Sequence, residues 1–277
     1  MSLHLSYLEM AKKDLEASKV LLTRKCYPQA VFLFEQAVEK GIKSLGFWTK
    51  TITEEECKKM EAVGHKAWKI FSFIIERGIN AVKVHLQTIL KESPQFEQTN
   101  LWTIIQTQIS NLEKEAKERQ VDIIGIKGFE TWAFSEEKLL DIMDRINRLR
   151  GKLPRGLLKF GKEEIRTWKE LFRLLTQDLG KITQTSRADI KKIIESSKMA
   201  WKLLYSTAWL FYTSFIVCPH ATNSRYPEKD WNPLEKYKET TPLIKRLKFF
   251  TDAVEEALEY LSEIYVKVPH LGERFNV

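Results

Sequence analysis

The sequence predicts an all-α protein, and three observations carry that prediction. Glycine and proline number only 11 and 8 among 277 residues, too few for a strand-rich sandwich or barrel that must turn every ten residues or so. Apolar side chains recur at three- and four-residue steps in segment after segment, the period of a helix with one buried face. A composition 43% hydrophobic and 30% charged is too apolar for a disordered tail and too charged for an integral membrane protein.

The elements follow in order. Leu8, Ala11, Leu15, Ser18 and Leu22 line one face of a first helix from about 3 to 24. Tyr27-Pro28 opens a second almost at once, with proline at an early helical position where its missing N–H costs nothing. Ala30, Phe34, Ala37, Val38, Gly41, Ile42 and Leu45 then carry the apolar face to about Trp48. A link this short makes the two helices an antiparallel hairpin. Thr53 with Glu56 three residues on is a capping box for a short helix to about Ala62. Long helices are expected at about 66–92 and 101–119. The stretch 121–134, with two glycines and no helical period, reads as a loop or short hairpin. Ser135 followed by Glu136 and Glu137 starts a helix to about Arg150, ended by the Pro/Gly-containing run 151–156. Two more helices are expected at about 162–179 and 187–217. After a polar loop at 219–232, Thr241-Pro242 opens a closing helix to about Val266.

Charge is unevenly placed. The formal net charge is +8, yet from Arg145 to Arg173 ten basic residues face three acidic ones, so this window holds nearly all of it. Arg145, Arg148, Lys152, Arg155, Lys159 and Arg166 make a candidate RNA-contact surface, the excess leaning toward a polyanionic partner. A solvated charged face is the competing interpretation. Cys26, Cys57 and Cys218 are odd in number, far apart and in no metal-ligand spacing, which suits reduced thiols of a cytoplasmic protein. The N-terminus shows no export signal. The uncharged, aromatic stretch 203–219 is shorter than a membrane span of about 20 residues and holds Ser206, Thr207, Thr213 and Ser214. The helix that carries this stretch has Trp201, Tyr205, Trp209 or Ala208, Tyr212 and Phe215 or Ile216 at the spacing of a core or dimer-interface stripe. No phosphate-binding glycine loop, dinucleotide fingerprint, nucleophile elbow or zinc-protease motif is present. Glu35 and Glu39 lie one turn apart but have no Glu-x-x-His partner for a di-metal site. No metal or cofactor is expected.

Two parts of the chain together resemble a known family. Ala11, Asp14-Leu15, Ala17, Leu21-Leu22, Tyr27, Ala30, Phe32, Gln36-Ala37, Glu39-Lys40 and Lys43 resemble the first two helices of HEPN domains, and Gly64-His65 resembles the family's Gly/Thr-His before its third helix. The run Pro219-His220-Ala221-Thr222-Asn223-Ser224-Arg225-Tyr226-Pro227, with Pro233 and Tyr237 before the closing helix, is similar to the family's Arg-Tyr-Pro loop. The resemblance implies an antiparallel, up-and-down four-helix bundle built from 3–66 plus 195–268, with 67–194 as a helical insertion carrying the basic surface. It also implies a homodimer, a nucleotide or RNA as ligand, and a nucleotidyltransferase-type protein partner. Family RNases, often toxins, carry Arg, four to six residues, then His on one helix. No arginine precedes His65, His85, His220 or His270 at that spacing, and the order is inverted in His220-x4-Arg225.

The residue types in that loop nonetheless suit phosphate chemistry. Metal-independent RNA cleavage needs an acid or base and a cation for the phosphorane charge; His220 and Arg225 are the candidate catalytic pair. Arg225, Tyr226 and Asn223 are the candidate nucleotide- or phosphate-binding set, guanidinium clamping phosphate while phenol and amide orient. Three functions follow: a nucleotide- or RNA-binding module, a metal-independent RNase, or a non-catalytic protein-interaction scaffold. The competing structural interpretation is that His220 caps the aromatic helix and Arg225 locks the loop.

Overall fold

In the computed structural model, the residues described are 2–61, 106, 107, 110, 114, 135–152 and 187–267. The helices expected at 66–92 and 162–179, the segment 121–134, and all but four residues of 101–119 lie outside them. The described helices are α1 (Leu3–Thr23), α2 (Tyr27–Trp48), α3 (Glu54–Glu61), α4 (Glu136–Lys152), α5 (Arg187–Val217), α6 (His220–Asn223), α7 (Pro233–Lys236) and α8 (Pro242–Lys267). No strand occurs among the described residues, where extended pairing is limited to an isolated bridge between Glu228 and Trp231. The chain is all-α.

Four long helices, α1, α2, α5 and α8, run up, down, up and down. Their directions follow from side-chain pairings. Ser18 Oγ donates to the Ala30 carbonyl at 2.7 Å and Ser44 Oγ to the His4 carbonyl at 2.7 Å, which sets α1 antiparallel to α2. Ser206 Oγ donates to the Ala257 carbonyl at 3.0 Å, and Tyr205 Oη to Glu256 at 2.7 Å. Further along, the Trp209 and Phe249 rings lie 5.9 Å apart. These pairings run α5 against α8. Lys19 pairs with Glu255 while His4 meets Tyr265 edge-on at 5.1 Å, so α8 also runs against α1.

The interior joins the faces that the periodicity predicts for α1 and α2 to residues of α5 and α8. Leu8, Ala11 and Leu15 of α1, Phe34, Ala37, Val38, Ile42 and Leu45 of α2, Trp209 and Leu210 of α5, and Leu247, Phe250, Val254, Leu258 and Leu261 of α8 are all buried in one cluster. At Gly41 both α5 and α8 come close to α2. A Cβ there would stand 3.0 Å from Leu258 Cδ2 and 3.1 Å from Leu210 Cδ2, so the missing side chain sets the spacing of α5 and α8 on α2. Leu139 and Ile142 of α4 join the same cluster, and Arg246 of α8 pairs with Glu136. This described helix of the 67–194 region thus packs on the bundle itself.

The helix ends are chemically explicit. The Thr53–Glu56 capping box forms as the spacing predicts: Thr53 N–H donates to Glu56 Oε2 at 2.8 Å and Glu56 N–H to Thr53 Oγ1 at 3.2 Å. Helices α1 and α2 both stop in a left-handed residue, Lys25 (φ 60°) and Lys50 (φ 54°). Behind each lies the double closure of a Schellman motif: Cys26 N–H to Leu21 and Lys25 N–H to Leu22, then Thr51 N–H to Gly46 and Lys50 N–H to Phe47.

Candidate functional site

The loop between α5 and α8 is built on one buried contact. After α5 ends at Val217, the one-turn helix α6 turns His220 inward, where it is 0% exposed. Its Nδ1 lies 2.7 Å from Tyr237 Oη. Tyr237 is itself buried, and burial raises its phenol above the ordinary range, so it stays protonated and is suited to donate. Ser224 Oγ donates to the His220 carbonyl at 2.7 Å and closes the turn. The loop then leaves the core.

Just past that closure Arg225 and Tyr226 face out. Arg225 is exposed; its guanidinium carbon sits 4.7 Å from the Phe32 ring centre on α2 and 4.9 Å from that of Tyr226, and its Nη2 donates to Tyr226 Oη at 2.8 Å. Tyr226 is 53% exposed. The Trp231 indole N–H donates to the Asn223 carbonyl at 2.7 Å, while Trp231 and Glu228 exchange backbone bonds at 2.8 and 3.1 Å. Trp231 also meets Tyr237 edge-on at 6.4 Å, and Lys236 Nζ lies 5.3 Å from its ring centre. The surface therefore carries two cation–aromatic units on one loop, an arrangement that offers planar faces for stacking and cations for phosphate.

Of the residues singled out from sequence, Arg225 and Tyr226 are brought together at the surface. Asn223 contributes through its main-chain carbonyl. His220 faces the core while Arg225, five residues on, faces outward over Phe32. Arg145, Arg148 and Lys152 lie on α4; Arg155, Lys159 and Arg166, with His65, lie outside the described residues. Trp231 and Lys236 were not singled out. A lone loop tryptophan has no period to mark it, and the one available signal was its place between the Arg-Tyr-Pro run and Pro233.

A second polar feature runs along α2. Glu35 is 1% exposed, Glu39 and Lys43 are buried, and Lys43 Nζ pairs with Glu39 Oε1 at 2.6 Å. Glu35 Oε2 accepts from Gln36 Nε2 at 2.8 Å, and its Oε1 has no hydrogen-bond partner among the described residues. Burial first, then the Glu39 charge, pushes the Glu35 carboxyl up to about 8, so at neutral pH it is an acid rather than a carboxylate. Among the described residues no three His, Cys, Asp or Glu side chains gather to hold a metal ion, and no helix is long and apolar enough to cross a membrane.

The fold and the loop together define a class: an all-α helical bundle presenting a cation–aromatic loop between its last two long helices. The HEPN domain family model matches residues 5–59, which take in nearly all of α1, all of α2 and most of α3, so the N-terminal hairpin is a HEPN match. No curated protein and no solved structure matches the chain.

Proposed function

We propose that this chain is a HEPN-type nucleotide- or RNA-binding module that holds its ligand on the Arg225–Tyr226 loop. The observation that supports this most is the exposed guanidinium of Arg225, steadied against Phe32 and Tyr226 and so pre-ordered for a phosphate. The HEPN match supports a nucleotide- or RNA-related role in general. In this proposal His220 positions the loop through Tyr237 and does not touch the ligand, because its ring is sealed from solvent. The basic stretch with Arg145, Arg148 and Lys152 supplies a second contact for a longer strand. Residues 67–194, which take in the first two turns of α5, are an insertion whose helix α4 is anchored on the bundle by Leu139 and Ile142. A homodimer and a nucleotidyltransferase-type partner are further parts of the proposal, drawn from the family resemblance.

The test is binding and cleavage in one tube. Labelled RNA is incubated with the purified chain in EDTA, beside Arg225→Ala and His220→Ala. Binding that Arg225→Ala weakens at least ten-fold, with the RNA intact, supports the module. Cleavage by wild type that both variants abolish overturns it in favour of an RNase. RNA neither bound nor cut leaves the interaction scaffold.

A further inference from the structure

We infer that the loop takes a single strand of RNA spanning at least two nucleotides, one at the Arg225–Tyr226 unit and the next at Trp231–Lys236, and discriminates against a mononucleotide. This rests on the binding role proposed above and names its ligand class.

Three observations carry it. The two cation–aromatic units are neighbours: the Trp231 indole is tied to the carbonyl of Asn223, two residues before Arg225. The Trp231 ring is held in place from several sides, by that bond, by the two backbone bonds to Glu228 and by the edge of Tyr237. A partly buried indole, tied down in this way and with a lysine 5.3 Å from its centre, presents the parts of a base-stacking platform with a phosphate contact. The third observation is charge. Between Thr222 and Thr241, Arg225, Lys229, Lys236 and Lys238 are balanced by Glu228, Asp230, Glu235 and Glu239.

That balance decides the ligand. A loop without net charge adds little long-range attraction for a free nucleotide with its terminal phosphate charges, so most of the retention comes from stacking, which accumulates with each added base. A strand carries one charge per nucleotide, matched by one cation at each unit. The salt dependence follows. With two phosphates neutralised, log K falls against log salt with a slope of about −1.4, much shallower than for a strand running along the whole basic stretch.

The experiment titrates the full chain with fluorescein-labelled oligouridylates of one, two, four and eight nucleotides in EDTA, at several salt concentrations. Uridine monophosphate serves as an unlabelled competitor. Affinity should rise steeply from one nucleotide to two or more, with a shallow salt slope. Trp231→Ala should weaken the longer oligomers about five- to hundred-fold, the worth of one stacked base, and Trp231→Phe, which restores a ring, should recover part of that loss. Circular dichroism of both variants guards against simple unfolding. Equal binding of the monophosphate and the oligomers through Arg225, untouched by Trp231→Ala, overturns this inference and leaves the binding module standing. Tight binding with a slope steeper than about −4 and no effect of Trp231→Ala places the strand elsewhere and also overturns it. No binding of any probe overturns the module itself.

Discussion

The buried carboxyl of Glu35 makes the bundle sensitive to alkali. In the unfolded chain this group titrates at its ordinary value of 4.5; in the folded chain burial and the neighbouring Glu39 push it up to about 8. Between those values the folded state holds a proton that the unfolded state has released. Stability linked to Glu35 is therefore complete below about pH 4.5, declines as pH rises, and is exhausted once pH passes about 8. Each pH unit is worth ~1.4 kcal/mol, so the full span amounts to ~5 kcal/mol, and the part lost by pH 7 to ~3 kcal/mol. Relaxation around the Glu35–Glu39–Lys43 ladder reduces the realised figure, and ~2–4 kcal/mol at pH 9 is the expected value.

Glu35→Gln isolates this effect, because glutamine keeps the volume and cannot ionise. Urea unfolding curves, followed by helical circular dichroism, compare the two proteins from pH 5 to 9.5. At pH 5 the two should differ little. From there the variant's advantage should grow with pH and level off near pH 8 to 9. Parallel profiles across the whole range would refute the argument, since they would mean that the carboxyl reaches solvent or a cation as readily as it does in the unfolded chain.

Three other substitutions test the packing and the caps. Lys50→Gly relieves the left-handed φ of 54° that closes α2 and should raise unfolding stability by about 1 kcal/mol in urea. Gly41→Val drives a branched side chain into Leu210 and Leu258, both fully buried, and should lower it by about 1–3 kcal/mol; Gly41→Ala should cost less, because about 1 kcal/mol of helix propensity is recovered. Tyr237→Phe removes the phenol that meets His220 Nδ1 and should cost about 1–3 kcal/mol in thermal unfolding, with a matching loss of Trp231 order visible in near-ultraviolet circular dichroism.

Much of the fold was legible because burial and helix period coincide. Leu8, Ala11, Leu15 and Ser18 turn one face of α1 inward at the spacing the sequence displays, and α5 spans Arg187–Val217 as its aromatic stripe indicates. The capping box at Thr53 was readable because its chemistry is local to four residues. Other features were opaque for equally physical reasons. The one-turn helices α6 and α7 are too short to show a period. Lys25 and Lys50 hold the left-handed positions that glycine ordinarily marks, so neither Schellman closure had its sequence signal. Glu35, Glu39 and Lys43 are polar residues on a buried face, where the pattern alone implies solvent. The pairing of Glu39 with Lys43 one turn on was the available hint.

The site shows most sharply where sequence proximity misleads. His220 and Arg225 stand five residues apart, and as a pair of types they match what RNA cleavage asks for. Chemistry requires in addition that both groups converge on one reacting atom. A single helical turn followed by the Ser224 closure separates them: the imidazole turns to Tyr237, seventeen residues onward, and the guanidinium turns to Phe32 on another helix. Both of those partners are distant in sequence, so no spacing rule within the loop reveals the divergence. The same geometry gives each residue a coherent task. His220 and Tyr237 fasten the loop to the core, Tyr237 in turn abuts Trp231, and the fastened loop holds Arg225, Tyr226, Trp231 and Lys236 at the surface. Losing the buried anchor should therefore weaken the proposed ligand binding through disorder of the loop, whereas losing Arg225 should weaken it with the loop intact, and the near-ultraviolet signal of the tryptophans separates the two cases.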